Sequence, residues 1–291
     1  MNDLPDPIET VADSKVEPSE ARKVPVILTS VNGPLRDIFD DVEESAAETT
    51  EFVDDASTTK SYVLCFVERS GSTMLTDVMK KTRVLGIPDE YVNPRGPMLY
   101  TLKRFPAKDL SQYFRKLRRK CATPNGVFGM KTIYHDFQPL IEAGIVSALL
   151  GAPNFIYLTR KDVVLQAISS YLARMRGLWH SSDRLLKMNE NVNFDEMEVP
   201  FDREEILKLV DRFMNDRLRW ERFFSLYNIE PLRIEYEDLV PNNISHELQR
   251  ICEFIGIDSS LAEADISTSL EILRDERSAE WAERIRNEFQ L

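Results

Sequence analysis

The sequence has little of several things, and each shortage excludes a class of function. It holds three histidines, His135, His180 and His246, all isolated from one another. No His/Cys/Asp cluster shows the spacing of a metal site, so a catalytic metal is not expected. The three cysteines, Cys65, Cys121 and Cys252, are odd in number and share no close spacing. They give no closed disulfide framework and read as reduced thiols. No apolar run reaches the length of a membrane span. The acidic start, MNDLPDPIET, lacks the basic-then-apolar layout of a signal peptide, so a cytoplasmic location is expected. There is also no G-x-x-x-x-G-K-[ST] run, which disfavours a nucleoside triphosphate held with magnesium.

Positive charge is scarce at one end only. Residues 1–59 carry fifteen Asp/Glu against four Lys/Arg, a net of −11. The whole chain of 291 residues has a net charge of −12, so the body from residue 60 onward is nearly neutral. Neither part has the basic footprint of a nucleic-acid binder. With scattered apolar residues and many Ser, Thr and Pro, residues 1–59 are expected to form a disordered tail. The apolar island Lys23–Leu28 is the segment in it that could dock on the body or on a partner.

From residue 60 to 291 the texture is that of a folded domain. Tyr62–Val67 is a continuous, β-rich apolar run of the kind found in a buried parallel strand. A Ser/Gly turn follows, then an amphipathic helix expected over Ser72–Lys81. Gly126–Lys131, Asn154–Thr159 and Pro231–Tyr236 read as further strands, with helical stretches near 136–150, 162–176 and 201–227 and a helical last third. Strands alternating with helices imply an α/β fold with a parallel sheet of four to five strands.

Glu68-Arg69-Ser70-Gly71-Ser72-Thr73 lies between the first strand and the first helix. There, free backbone N–H groups and the positive end of the helix dipole point at whatever sits above the turn. Gly71 admits a close oxygen, the hydroxyls of Ser70, Ser72 and Thr73 add donors, and Arg69 adds a fixed charge suited to phosphate or sulfate. The other reading is a plain turn in which Ser72 caps the helix. Farther on, Arg160 stands at a strand's C-terminal end, where open α/β sheets place ligands, and Ser169 follows nine residues later on a helix. The pair could hold a second phosphate.

Together, the E-R-S-G-S-T loop, the R-K-D-V-V-L-Q-A-I-S segment and I-E-Y-E-D-L-V-P resemble the sulfotransferases that use 3′-phosphoadenosine-5′-phosphosulfate (PAPS). The chain is similar above all to the bacterial trehalose 2-sulfotransferase family, through ERSGSTML, Pro88-Asp89-Glu90-Tyr91, Thr123–Lys131 and Glu276–Trp281. The resemblance runs over residues 60–290 and implies a P-loop-like three-layer αβα sandwich. It assigns Arg69, Ser70, Gly71, Ser72 and Thr73 to the 5′-phosphosulfate, and Arg160 and Ser169 to the 3′-phosphate. It makes Glu90 the base that accepts the hydroxyl proton, a position that is otherwise an ordinary loop glutamate. Arg69 stands where better-known members carry lysine.

Lys131 could add positive charge or snorkel to the surface. Trp179 and His180 could line a sugar pocket, although Trp179 could equally be core. Arg277, with Arg274, could close over the nucleotide or form helix-end ion pairs. Ile87 replaces an acidic residue of the trehalose-type motif, so the acceptor could be another carbohydrate or a glycolipid. A homodimer is implied by resemblance alone. Lys103–Lys120, with eight Lys/Arg and one acid, could rim the entrance, meet the acidic tail or be a solvated helical face. Rival readings are a small-molecule kinase and a non-catalytic nucleotide-binding scaffold.

Overall fold

A computed structural model describes residues 38–39, 60–177, 198–240, 243–262 and 276–287. Four strands, β1 (Lys60–Phe66), β2 (Val127–Ile133), β3 (Asn154–Thr159) and β4 (Leu232–Glu235), form one sheet in the order β2-β1-β3-β4. All three pairings are parallel. The α/β expectation holds, with the strand count at the lower bound among the described residues.

Side chains alternate across a strand, so the two faces of β1 build two cores. Tyr62, Leu64 and Phe66 pack with α1 (Ser72–Lys81) and with a later helix, Ile244–Ile255. Val63, Cys65 and Val67 join the core on the other face. That face is covered by α2 (Pro97–Arg104), α3 (Leu110–Cys121), α4 (Tyr134–Glu142), α5 (Val146–Leu150), α6 (Val163–Arg176) and α7 (Arg203–Leu226). Ile244–Ile255 is α8, and α9 (Glu276–Asn287) lies against α6. The architecture is therefore a three-layer αβα sandwich.

Local chemistry sets the helix ends. The carboxylates of Asp109, Asp162 and Asp202 accept hydrogen bonds from the amides of Gln112, Leu165 and Glu205 and so cap α3, α6 and α7. The helix expected near 136–150 is two helices, α4 and α5, separated by Gly144 at φ +67°. Along α7, Phe213, Trp220, Phe223 and Phe224 are buried, so that stretch is core. Trp220 stacks on Phe224 with ring centroids 5.8 Å apart, and its indole N–H donates to the Phe66 carbonyl at 3.2 Å. That bond fixes α7 to the C-terminal end of the central strand.

Strand β1 has β2 on one side and β3 on the other, and the helices that follow β1 and β3 lie on opposite faces of the sheet. Their C-terminal ends flank a crevice of the kind where open α/β sheets bind ligands. The Arg69 loop leaves from β1, and Arg160 follows β3 directly.

One close approach tests this packing. A Cβ at Gly129 of β2 would lie 2.1 Å from the ring of Tyr62, a fully buried side chain whose hydroxyl donates to the Leu85 carbonyl. Overpacking of this kind costs about 1–3 kcal/mol. Gly129→Ala should therefore lower the thermal midpoint by about 2–12 °C for a domain this size, and an unchanged midpoint would contradict the packing.

Candidate functional site

The loop after β1 is held in an unusual backbone shape. Arg69 has φ +64° and Gly71 φ +84°, both left-handed. Gly71 is the N-cap of α1, and no side chain caps that helix or places an acid in its first turn. Ser72 does not cap it, so the first-turn amides and the positive end of the dipole face the crevice. Only glycine fits at position 71, because a Cβ there would sit 2.5 Å from the ring of Tyr236, just beyond β4. Beside it the Ser70 hydroxyl is fully buried and has no hydrogen-bond partner among the described residues. A buried orphan hydroxyl costs free energy unless something else uses it.

The two phosphate motifs, far apart in sequence, meet here. The Arg69 Nε–H donates to the Ser169 hydroxyl at 3.1 Å, and an Arg160 Nη1–H donates to the Arg69 carbonyl at 3.3 Å. The Arg160 guanidinium lies over the Tyr236 ring, 4.6 Å from its centroid. Burial, followed by the like charge of Arg160, lowers the Arg69 pKa from its ordinary value. Two guanidiniums so close favour an anion between them.

Their frame is polar and centres on one buried side chain. The amide of Gln166, itself fully buried, donates to the Glu68 carbonyl at 2.6 Å and accepts from Arg217 at 2.9 Å. Arg217 also donates to the Arg160 carbonyl, and Arg212 pairs with Glu68.

On the other side of the loop, Lys131 is 3 % exposed and does not snorkel outward. Its ammonium donates to the Thr73 hydroxyl at 3.1 Å and lies 3.5 Å from a Glu90 carboxylate oxygen. The second Glu90 oxygen accepts from the Asn93 amide at 2.8 Å. Asn93 in turn accepts from the Arg95 backbone N–H at 3.0 Å, and Arg95 pairs with the buried Asp136 at 3.1 Å. Burial raises the Asp136 pKa against the opposing pull of Arg95. The backbone of this segment is fixed by the Tyr113 hydroxyl, which donates to the Tyr91 carbonyl at 2.9 Å. A cation, a carboxylate and the bare end of α1 thus share one spot: an oxyanion can bind there beside a proton acceptor.

The structure brings together Arg69, Ser70, Gly71, Ser72, Thr73, Glu90, Lys131, Arg160 and Ser169. Trp179, His180 and Arg274 lie outside the described residues, as does nearly all of the acidic tail. Arg277 is half-buried in the first turn of α9. Arg286 of α9 pairs with Asp162 of the second motif at 2.7 Å. The Leu165 amide and Arg286 outweigh burial and hold the Asp162 carboxyl below its ordinary pKa. Sequence reasoning did not single out Asn93, Gln166, Arg217 or Tyr236. Tyr236 carried a signal, as the aromatic of I-E-Y-E-D; for the others only the fold reveals the role. Among the described residues, no group of three or more His, Cys, Asp or Glu could hold a metal ion, and no helix is long and apolar enough to cross a membrane.

Comparison with known proteins covers the folded part of the chain. A family model described as Stf0 sulphotransferase matches residues 61–288. The chain is 24% identical over 270 residues to trehalose 2-sulfotransferase of Mycolicibacterium smegmatis, covering 79% of this chain and 96% of that protein. It is 24% identical over 266 residues to trehalose 2-sulfotransferase of Mycobacterium tuberculosis, covering 79% and 95%. Among solved structures, a sulfotransferase domain from the curacin biosynthetic pathway aligns with a TM-score of 0.44 at 16% identity, covering 79% of this chain and 98% of that one.

The cationic crevice makes a prediction that needs no organic ligand. Excess pyrophosphate should raise the thermal midpoint by about 5 °C or more, by mass action on the native state. Arg160→Ala and Gly71→Ala should each remove most of that rise. Equal shifts in all three proteins would place the anion elsewhere.

Proposed function

This chain belongs to the Stf0 sulphotransferase family, and on that premise we propose that it transfers a sulfuryl group from PAPS to a hydroxyl of a carbohydrate or glycoconjugate. The observation that carries this reading is the position of Lys131, which holds Thr73 of the anion loop and Glu90 on one buried ammonium. The donor's fit rests on the orphan Ser70 hydroxyl and on the first turn of α1, which no side chain caps. When bound, PAPS supplies the sulfuryl group and leaves as 3′-phosphoadenosine-5′-phosphate.

Each residue then has a task. Arg69, Ser70, Ser72, Thr73 and the amides opened by Gly71 hold the phosphosulfate end. Arg160 and Ser169 hold the 3′-phosphate, with Tyr236 keeping the Arg160 guanidinium in its plane. Glu90 accepts the proton that the acceptor hydroxyl gives up as its oxygen forms the new bond to sulfur, in line with the departing phosphate oxygen. Asn93 orients the Glu90 carboxylate for that transfer. Lys131 and Arg69 neutralise charge that builds on the leaving oxygen, the form of stabilisation that dominates group transfer between oxyanions. The two curated relatives, by name, act on trehalose, which supports a sugar acceptor. Ile87, half exposed in place of the family's acid, supports an acceptor that differs from trehalose at the subsite beside it.

Calorimetric titration with 3′-phosphoadenosine-5′-phosphate tests the donor site. Wild type should bind, and Arg160→Ala should bind about 10–100-fold more weakly, the loss of charge-assisted hydrogen bonds. Glu90→Gln should keep the wild-type nucleotide affinity and lower the transfer rate about 100- to 10,000-fold. A folded wild-type protein that does not bind the nucleotide would sink this reading.

A further inference from the structure

The arc from Asp89 to Arg95 is pinned at both ends to the end of one strand. At the first, the Asp89 carbonyl accepts from the Lys131 N–H at 3.0 Å, and the Glu90 carboxylate meets the Lys131 ammonium at 3.5 Å. At the second, the Arg95 Nη2 donates to both oxygens of Asp136, at 3.1 and 3.2 Å. Lys131 belongs to β2, and Asp136 lies in the first turn of α4, which follows β2 directly.

Asn93 stands between the two pins. Its side chain has an acceptor end and a donor end, and the order in which they face their neighbours is fixed by those neighbours. The Arg95 backbone N–H, at 3.0 Å, and its Nε–H, at 3.5 Å, both point at the Asn93 oxygen. The Asn93 nitrogen is thereby turned to the Glu90 carboxylate, at 2.8 Å. Turned the other way, the amide would set oxygen against carboxylate and N–H against guanidinium. The backbone N–H would hold the Asn93 oxygen whatever residue stood at 95. What the Arg95 side chain adds is the anchor: it is 61% exposed, yet it reaches a carboxylate that is 3% exposed. A carboxylate so buried calls for a cation, and Arg95 supplies it from the arc.

We propose that Arg95 and Asp136 are positioning residues for the proton acceptor: they clasp the arc to the end of β2 and, through Asn93, fix the way the Glu90 carboxylate faces. The inference rests on the reading of Glu90 as the base. Without the clasp, Lys131 still keeps Glu90 beside the anion loop, but the carboxylate loses its fixed orientation. The cost therefore falls on the transfer step and not on the binding of nucleotide.

Three variants test it: Arg95→Ala, Asp136→Asn, and the two combined. The combined variant leaves no buried charge unpaired, so it decides if a single variant fails to fold. The first readout needs no substrate. In amide NMR spectra the Asn93 side-chain N–H that meets Glu90 is assigned by its loss in Asn93→Ala. In wild type its charge-assisted bond should hold it downfield of its geminal partner, and in each variant the two should draw together. The second readout is turnover of PAPS with trehalose as the probe acceptor. Here kcat should fall about 10- to 100-fold, as for a misplaced reacting group, with the affinity for 3′-phosphoadenosine-5′-phosphate unchanged. In a Glu90→Gln background, Arg95→Ala should cost nothing further, because residues that act through one group are not additive. A merely structural role would lower the rate equally in both backgrounds, and that result would overturn the proposal. So would an Asn93 signal that ignores all three variants. If trehalose is not turned over, the NMR readout decides. A wild type that shows the Asn93 signature but binds no nucleotide would sink the sulfotransferase reading and leave the clasp standing.

Discussion

A buried ammonium must be paired, and the candidate site is arranged around that requirement. Lys131 brings its charge to a place that water hardly reaches, which is costly unless hydrogen bonds and an opposite charge meet it. Thr73 and Glu90 do so, one from the first turn of α1 and one from the segment before α2. The demand reaches back to sheet register. Lys131 lies opposite Leu64 of β1, so its side chain leaves on the α1 face of the sheet, where the Phe66 ring borders it at 5.8 Å. A slip of one residue would turn it to the other face and leave Glu90 without its cation.

The second half of the site has the opposite imbalance. Arg69 and Arg160 are held close by Ser169, Tyr236 and the loop's own carbonyl, and burial and mutual repulsion both work against the Arg69 charge. Arg69 adds a left-handed backbone, a conformation that costs roughly 1–3 kcal/mol at a non-glycine residue. An anion bound between them would relieve the repulsion and offer the Ser70 hydroxyl a partner. A folded protein that carries these costs without a ligand gains pre-organisation: little must move when the ligand arrives.

What was legible in the sequence was what is local. The apolar run before R-S-G-S-T, the helix over Ser72–Lys81 and the strand over Asn154–Thr159 all stand where periodicity and turn chemistry put them. The parallel α/β sheet followed from alternation, and the three-layer sandwich from the family resemblance. Contacts between distant segments were not legible. Nothing in R-S-G-S-T says that Arg69 will reach Ser169, one hundred residues away, or that Gln166 will hold the Glu68 carbonyl. Lys131 at the end of an apolar strand reads equally as a snorkelling or a buried lysine until its neighbours are placed. Gly144 splits a helix that its flanking residues make look continuous.

The central claim is that two clusters, Arg160 with Ser169 and Ser70 with Thr73 and Lys131, hold the two phosphate ends of a single nucleotide. A crystal structure of the complex with 3′-phosphoadenosine-5′-phosphate tests it most directly. The account predicts the 5′-phosphate within hydrogen-bond distance of the Ser70 hydroxyl and the Lys131 ammonium, with the 3′-phosphate on Arg160 and Ser169. A nucleotide bound elsewhere, or one that leaves the Ser70 hydroxyl still without a partner, would contradict it.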